Sequence, residues 1–144
     1  MTERVLNSYE FGRALSRRTK RWKILTEQSI SNLGLSIGEF GVLVALSESG
    51  PQLLVDLARN QSITQAAITG IMDKLEELGL AEREPSKSDK RKVTASITAR
   101  GQEQVDEGRK LYKSFVERAT RHLTLRDMNA VLKTFDKMLN AANA

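Results

Sequence analysis

Apolar residues recur at helical spacing through the first third of the chain, and no proline interrupts them from Glu3 to about Leu33. This spacing predicts one long N-terminal helix. Gly34 then suits a helix C-cap. Ser36 and Glu39, three residues apart, form a capping box in front of a second helix that is apolar on most of its surface.

Two shorter helices follow, joined by a link of about 3–4 residues. The first is predicted over Leu54–Asn60. The second is predicted over Thr64–Leu78, with Thr64 as its N-cap and Gly79 as its terminator. The second helix carries one apolar stripe at three- and four-residue spacing, formed by Ile68, Ile71, Met72, Leu75 and Leu78. The pair is predicted to be a helix-turn-helix.

The face opposite the stripe is small and uncharged near the N-terminus of the second helix, whereas Asp73 and Glu77 lie further back. Such a surface suits a helix that enters the DNA major groove by its N-terminal end, and it also suits close packing of two helices. The candidate DNA contacts of this helix are Thr64, Gln65, Ala66, Thr69 and Lys74.

A β-hairpin is predicted directly behind the helix-turn-helix. The segment LAERE is expected to be extended, and Pro85 and Ser86 are expected to turn the chain. Val93 to Thr98 then returns as a strand in which apolar and hydroxyl residues alternate. A hairpin in this position makes a winged helix, so the predicted fold class is mainly α with a small β-hairpin wing.

Charge is concentrated in this hairpin. The 144 residues include 23 basic and 18 acidic residues, a net charge of +5, which alone is weak support for a nucleic-acid partner. Between Ser86 and Arg100 there are five basic residues and one acidic residue, so the segment has a local net charge of +4. Such a cluster can also protect an edge strand from aggregation, but the helix-turn-helix just upstream favours nucleic-acid binding.

The side chains of the hairpin tip divide into two chemical kinds. Lysines there neutralise phosphates without reading sequence, whereas the planar head of Arg91 can enter a narrow minor groove. Asp89, two residues earlier, is close enough to brace that guanidinium. The predicted DNA contacts of the tip are Lys87, Lys90, Arg91 and Lys92.

The last third of the chain returns to helical spacing. Thr98 can cap a helix that runs to about Arg121, and Thr124 begins another with Asp127 at its third position. The apolar stripe of this last helix exceeds what a small winged helix can cover, so the N- and C-terminal helices are predicted to form a homodimer interface. The predicted regions are an N-terminal helix (1–34), a winged helix-turn-helix (35–98, with the helix pair at about 53–78 and the wing at about 80–98) and dimerisation helices (99–144).

Composition excludes several function classes. There is no cysteine and only one histidine, His122, which leaves little for thiol chemistry, for a histidine metal cluster or for a nucleophile–histidine pair. We find no paired carboxylates and no phosphate loop, and therefore expect no enzyme, no cofactor and no metal. No apolar run approaches the ~20 residues that span a bilayer, and no signal-like segment precedes the first charges, so a cytoplasmic location without a membrane partner is expected.

Three stretches resemble the MarR family of winged helix-turn-helix transcriptional regulators. They are TQAAITGIMDKLEELGLAERE (64–84), DKRKVTASITARG (89–101) and LSIGEFGVLVAL (35–46). The resemblance implies an obligate homodimer, acting as a repressor or activator on a pseudo-palindromic operator in double-stranded DNA. It places the recognition helices in the major groove and Arg91, held by Asp89, in the minor groove.

The resemblance also implies a cleft for a small ligand that releases DNA. Since the chain lacks the residues for thiol or zinc sensing, either a sensor of a small organic ligand or a regulator without a ligand remains. For a ligand of the anionic aromatic class, the candidate contacts are Arg17, Arg21, Trp22 and Tyr112. The alternative function is a winged-helix protein–protein interaction module that binds no specific DNA. The charge at the hairpin tip favours DNA over this alternative.

Overall fold

The computed structural model describes residues 4–144 of the chain. These residues form two compact units that divide between Tyr112 and Lys113. Within residues 4–144 there are six α-helices and three β-strands. The helices are α1 (Ser8–Ser29), α2 (Ile37–Ser49), α3 (Leu54–Asn60), α4 (Gln65–Glu77), α5 (Ala99–Ala119) and α6 (Leu125–Ala142), and the strands are β1 (Gln52–Leu53), β2 (Ala81–Pro85) and β3 (Val93–Ile97).

This element order confirms the predicted mainly α, winged helix-turn-helix fold. α3 has the predicted bounds, and Thr64 caps α4 by accepting a hydrogen bond from the Ala67 amide at 3.0 Å. The predicted capping box of α2 is also present, with Ser36 and Glu39 each bonded to the other's backbone amide. These signals are local in sequence, which is why they could be identified without the structure.

The N-terminal helix is shorter than predicted. α1 begins at Ser8, because the Asn7 side chain caps it by accepting from the Glu10 amide. It ends at Ser29, and a separate 3-10 turn covers Ser31–Leu33. Hydroxyl side chains near this end bond backbone carbonyls and so compete with continuation of the helix. The prediction of one helix from Glu3 to Leu33 was therefore wrong at both ends, and Glu3 itself lies outside the described residues.

The core of the first unit lies between α2 and the helix-turn-helix. Its fully buried side chains include Val42, Leu43, Leu46, Leu57, Ile68, Met72 and Leu75, together with Ala95 of β3 and Val105 of α5. Leu78 was predicted in the apolar stripe of α4 but is 37% exposed. The reason is that Gly79, at φ +73°, reverses the chain directly after the helix, and Leu80 enters the core instead.

The sheet has three antiparallel strands in the order β1-β3-β2. Strand β1 was not predicted, because its two residues follow a run of helix-breaking residues and are too short to show alternation. Pro85 was predicted to turn the chain, but it is the last residue of β2 and pairs with Val93. Proline is tolerated there because β2 is an edge strand. The turn is formed instead by residues 86–92, which we call the wing loop, and it is closed by the Ser86 amide donating to the Lys92 carbonyl at 2.9 Å.

Two glycines allow the start of α5 to pack closely within the first unit. A Cβ at Gly101 would collide with the Leu80 carbonyl oxygen, and one at Gly108 would collide with the Phe40 ring. Thr98 fixes the same junction, since its hydroxyl donates to the Gly79 carbonyl at 2.7 Å and accepts from the Gly101 amide at 3.0 Å. The wing is therefore joined to α5 without a flexible linker.

The second unit contains α6. The predicted capping box at its start is present, with Thr124 and Asp127 bonded to each other's backbone amides. The structure describes every residue of this helix, and none of them is buried. Its apolar stripe is exposed, with Leu125 at 76%, Leu132 at 64% and Leu139 at 57%. Within residues 4–144, no helix has the length and apolar character that crossing a membrane requires.

Candidate nucleic-acid interface

The first two turns of α4 present an uncharged surface to solvent. Thr64, Gln65, Ala66 and Thr69 are all exposed, while Ile68 between them is fully buried and anchors the helix. At Gly70, one residue further along, the outer face is open, since a Cβ there would meet no described atom within 4 Å apart from its chain neighbours and the backbone of α4 itself. The structure thus brings these four predicted contact residues together at the positive end of the helix dipole, where phosphate groups are favoured.

Lys74 does not join this group. Its ammonium donates to the Glu39 carboxylate at 3.1 Å and to the Gly34 carbonyl at 3.3 Å. Both partners lie at the N-terminal end of α2, and Glu39 is buried. Lys74 therefore attaches α4 to α2. Its predicted role as a DNA contact remains a prediction, and these two bonds within the protein do not support it.

The wing loop is organised around Asp89. Its Oδ1 accepts from the Arg91 backbone amide at 3.0 Å and from Arg91 Nε at 3.1 Å, and its Oδ2 accepts from Arg91 Nη2 at 3.2 Å. These bonds to Arg91 hold the pKa of the Asp89 carboxyl below its ordinary value. The contact expected between the two residues is present, and it leaves the Arg91 side chain 91% exposed.

Four of the five basic residues counted in the hairpin lie in the wing loop itself. Lys87, Lys90, Arg91 and Lys92 are exposed there, and with Asp89 they give the loop a net charge of +3. Arg100 lies instead at the start of α5. Ser86 is buried at the base of the loop, and its hydroxyl lies 3.0 Å from that of Ser88. The cationic tip is thus held out from an ordered base.

Sequence reasoning missed Arg83, which joins the wing to α4. Its Nε donates to Glu76 Oε1 at 3.1 Å and its Nη2 donates to Glu76 Oε2 at 3.0 Å, and Nη2 also bonds Asp73. The side-chain bonds to Glu76 and Asp73 raise the pKa of Arg83, and the bond from Arg83 lowers the pKa of Glu76. The sequence did offer a signal for this contact. Asp73 and Glu76 lie about one turn apart on the predicted helix, and Arg83 lies in the strand that follows that helix.

The first unit also contains a cleft of about 640 Å³ between α1, α2 and α5. Trp22 and Tyr112, two of the four candidate ligand contacts, line it, whereas Arg17 borders a different groove on α1 and Arg21 is not among the lining residues. The charged residues at the cleft are Lys23, Arg109 and Glu48. The predicted ligand contacts are therefore divided. Lys23 directly follows Trp22 on α1 but was not among the four predicted contacts, and Arg109 was not predicted because only the tertiary fold brings it to this cleft.

The comparisons with known proteins agree with this fold. The sequence model of the MarR family matches residues 35–93. The HTH-type transcriptional regulator YkoM of Bacillus subtilis is 35% identical over 108 residues, which are 72% of this chain and 66% of that protein. The HTH-type transcriptional repressor Rv2887 of Mycobacterium tuberculosis is 40% identical over 73 residues, which are 51% of this chain and 52% of that protein. The chain thus spans about half to two thirds of the length of these curated relatives.

Among solved structures, that of Bordetella bronchiseptica BpsR, whose DNA binding is regulated by 6-hydroxynicotinic acid, has a TM-score of 0.79 to this chain. The two sequences are 26% identical, and the match covers 90% of this chain and 98% of that one. Its coverage extends well beyond the residues matched by the family model. Together with the wing motif and the helix-turn-helix described above, these matches establish that the chain belongs to the MarR family.

Proposed function

We propose that this protein is a transcriptional regulator that binds a pseudo-palindromic operator in double-stranded DNA as a homodimer. α4 acts as the recognition helix in the major groove, and the wing loop reaches the adjacent minor groove. One observation carries the proposal: the uncharged, exposed start of α4 and an exposed loop of net charge +3 belong to the same compact unit. The matched relatives support the proposal, since one is named an HTH-type transcriptional regulator and the other an HTH-type transcriptional repressor.

The start of α4 suits a major groove for steric and electrostatic reasons. Its exposed residues are small or uncharged, so the helix can approach base edges closely. The amide of Gln65 and the hydroxyl of Thr69 are the polar groups there, and amides and hydroxyls make base-edge hydrogen bonds. Thr69 already donates to the Gln65 carbonyl at 2.9 Å, which leaves its hydroxyl oxygen as an acceptor.

The wing loop suits the minor groove and the phosphates beside it. Asp89 bonds two nitrogens of the Arg91 guanidinium and its backbone amide, so the side chain loses less conformational entropy when it binds. The lysines around it supply charge that neutralises phosphates whatever the sequence. A protein-binding wing has no evident need for this charge beside an uncharged helix start, which is why we favour DNA over the protein-interaction alternative.

Selection of bound sequences from a random duplex pool tests the proposal. We expect enrichment of two inverted half-sites about 10 base pairs apart, the spacing at which two recognition helices meet the major groove on one side of the duplex. A pool that remains random after selection, with no salt-dependent binding, would instead support a protein-interaction module.

The homodimer is proposed from the exposed stripe of α6. Contiguous apolar surface of this kind is uncommon on monomers and is typical of an interface. Leu132→Glu places a charge in the stripe and should shift the protein to a monomer in sedimentation equilibrium. Ala130→Glu adds the same charge on the opposite face of α6 and should leave a dimer. A dimer of unchanged stability in both variants contradicts this interface.

A small anionic aromatic ligand in the cleft completes the proposal. Trp22 and Tyr112 offer aromatic surface, and Lys23 offers positive charge. The Arg109 guanidinium adds positive charge beside Glu48, to which its Nη2 donates at 3.1 Å. Calorimetry with saturating salicylate should detect binding that Trp22→Ala abolishes. Arg17 and Arg21 lie apart from the cleft lining. If the Arg17→Ala/Arg21→Ala double variant binds salicylate as the unchanged protein does, these two predicted residues are not ligand contacts. Absence of heat with the unchanged protein removes salicylate-like acids as the ligand class.

A further inference from the structure

Arg83 connects the wing to the recognition helix through its side chain. It lies in β2, and its guanidinium reaches α4, where Nε and Nη2 donate to the two carboxylate oxygens of Glu76 at 3.1 and 3.0 Å. Nη2 also bonds Asp73, which lies three residues earlier on the helix. One planar group therefore spans two carboxylates of α4, a geometry that the fork of arginine allows and the single amine of lysine does not.

The backbone strengthens the same junction. The Arg83 amide donates to Glu76 Oε1 at 2.7 Å. β2 is an edge strand of the sheet, so this amide points away from β3 and is satisfied by the helix instead of by another strand. The Arg83 side chain is only 24% exposed and that of Glu76 34%, so these bonds compete less with water than those of a fully exposed pair.

The recognition helix is also held on its other side. Lys74 bonds Glu39 and the Gly34 carbonyl at the start of α2, as described above. Charged contacts therefore fix α4 toward α2 and toward the wing, in addition to its buried stripe. Of the two, the Arg83 junction joins the two elements that are proposed to enter different grooves.

The carboxylates in this junction have two opposing effects on DNA binding. Asp73 and Glu76 lie on the helix behind its uncharged start, and their negative charges repel phosphates. Their bonds to Arg83 also hold the helix and the wing together. Removal of both carboxylates therefore strengthens binding if only their charge matters, and it weakens sequence-specific binding if their bonds to Arg83 set the position of the wing.

We propose that Arg83 is a positioning residue for sequence-specific DNA recognition. Arg83 bonds both Asp73 and Glu76 and so fixes the wing loop relative to α4. The two elements can then contact the minor and the major groove simultaneously. Arg83 acts through these two residues and not through its own contact with DNA. The inference rests on the proposed function of the protein as a DNA-binding regulator.

The test compares the affinity for a selected operator with that for a scrambled duplex of equal length. In the Asp73→Ala/Glu76→Ala variant, the scrambled duplex should bind more tightly than with the unchanged protein, because two negative charges are gone. The ratio of the two affinities should nevertheless fall about tenfold, as expected when charge-assisted hydrogen bonds that position a site are removed. Alanine is the best helix former, so α4 itself is not weakened by the substitutions.

A charge-matched control is available in the same unit. Asp56→Ala/Glu77→Ala removes two negative charges from α3 and α4, together with the Asp56–Arg59 ion pair within α3, and leaves Arg83 and both of its partners in place. Here the affinity ratio should be preserved. If both double variants change the affinity ratio equally, the loss of charge accounts for the change. If neither variant changes the ratio, the bonds to Arg83 do not affect specificity. Either result overturns the positioning role.

Arg83→Lys gives an independent result should the first variant fail to fold. It keeps the positive charge but not the fork, so the affinity ratio should fall while circular dichroism reports a folded protein. A folded Arg83→Lys variant with an unchanged ratio overturns the inference. If the unchanged protein shows no preference for any duplex, the proposed function fails and this inference fails with it. A preference that survives in all variants overturns only the role of Arg83.

Discussion

The two elements proposed to contact DNA are held in place by different forces. The recognition helix α4 is fixed by Ile68, Met72 and Leu75, which have no exposed surface, and the surface at its start carries no charge. The wing loop contributes a net charge of +3, and its single arginine, Arg91, is held by hydrogen bonds to Asp89. Packing is therefore the main anchor of the helix, to which Lys74 and Arg83 add charged contacts, whereas electrostatic contacts hold the Arg91 side chain at the loop tip.

This difference assigns two parts of DNA binding to two elements: α4 distinguishes base sequences, and the wing loop supplies electrostatic attraction to the DNA backbone. A rigid uncharged surface distinguishes base pairs by close fit and individual hydrogen bonds, and these respond weakly to salt. A cluster of exposed cations attracts any phosphate backbone, and its contribution falls as salt rises. We therefore expect changes in the α4 anchors to act on folding, and changes in the wing loop to act on DNA affinity alone.

The largest effect is expected from the anchor of the helix. Met72→Ala should reduce the free energy of unfolding by about 2–5 kcal/mol, because it empties a fully buried position. Urea unfolding followed by circular dichroism measures this. Lys92→Ala in the exposed wing loop is the control, and it should change the free energy of unfolding by no more than about 0.5 kcal/mol. Similar losses in both variants would erase the distinction between the two regions.

A smaller effect is expected from the arginine of the wing loop. Arg91→Ala should weaken operator binding by about 1–3 kcal/mol, the range for a good groove contact, without a change in the unfolding free energy. Fluorescence anisotropy with the selected operator measures the affinity. Unchanged affinity would remove Arg91 from the minor groove and leave only the lysines of the loop as DNA contacts.

Lysines of the same loop should act without regard to sequence. Lys90→Ala or Lys92→Ala should weaken the operator and the scrambled duplex alike. Each should also reduce the slope of log K against log salt by about one unit for every phosphate that the protein no longer neutralises. Titrations of both duplexes at several salt concentrations measure this. A weakening confined to the operator would mean that a lysine reads bases, contrary to the assignment of specificity to α4 and Arg91.

The smallest effect concerns the junction between the two regions. Because the bond from Arg83 lowers the pKa of Glu76 below its ordinary value of 4.5, ionised Glu76 stabilises the folded state. Glu76→Gln should therefore cost stability above pH 4.5, by less than about 1 kcal/mol since the group is partly exposed. The cost should vanish as pH falls through the lowered pKa. A cost that persists at lower pH would assign the loss to packing.

The sequence predicted what depends on neighbouring residues and missed what depends on tertiary contact. Caps at Ser36, Thr64 and Thr124 were found because their partners lie three residues away. Leu78 was wrongly predicted to be buried. The left-handed turn at Gly79 brings Leu80, two residues later, into the core instead, and helical periodicity does not reveal such a turn. β1 was missed because two residues show no alternation.

The candidate site divides in the same way. Asp89 and Arg91 were paired correctly because they are two residues apart and in one loop. Arg83 was missed because its carboxylate partners lie on another element, seven and ten residues earlier. Trp22 and Tyr112 were predicted to line one cleft and do so, but Arg109 was not predicted because its position at that cleft exists only in the folded chain.

The most direct test of sequence-specific DNA binding is a titration of the unchanged protein with the selected operator and with a scrambled duplex, between about 50 and about 200 mM salt. We predict that the operator binds more tightly at every salt concentration, and that both affinities fall steeply as salt rises. Equal affinities for the two duplexes, or binding that does not respond to salt, would contradict sequence-specific recognition by α4 and the wing loop.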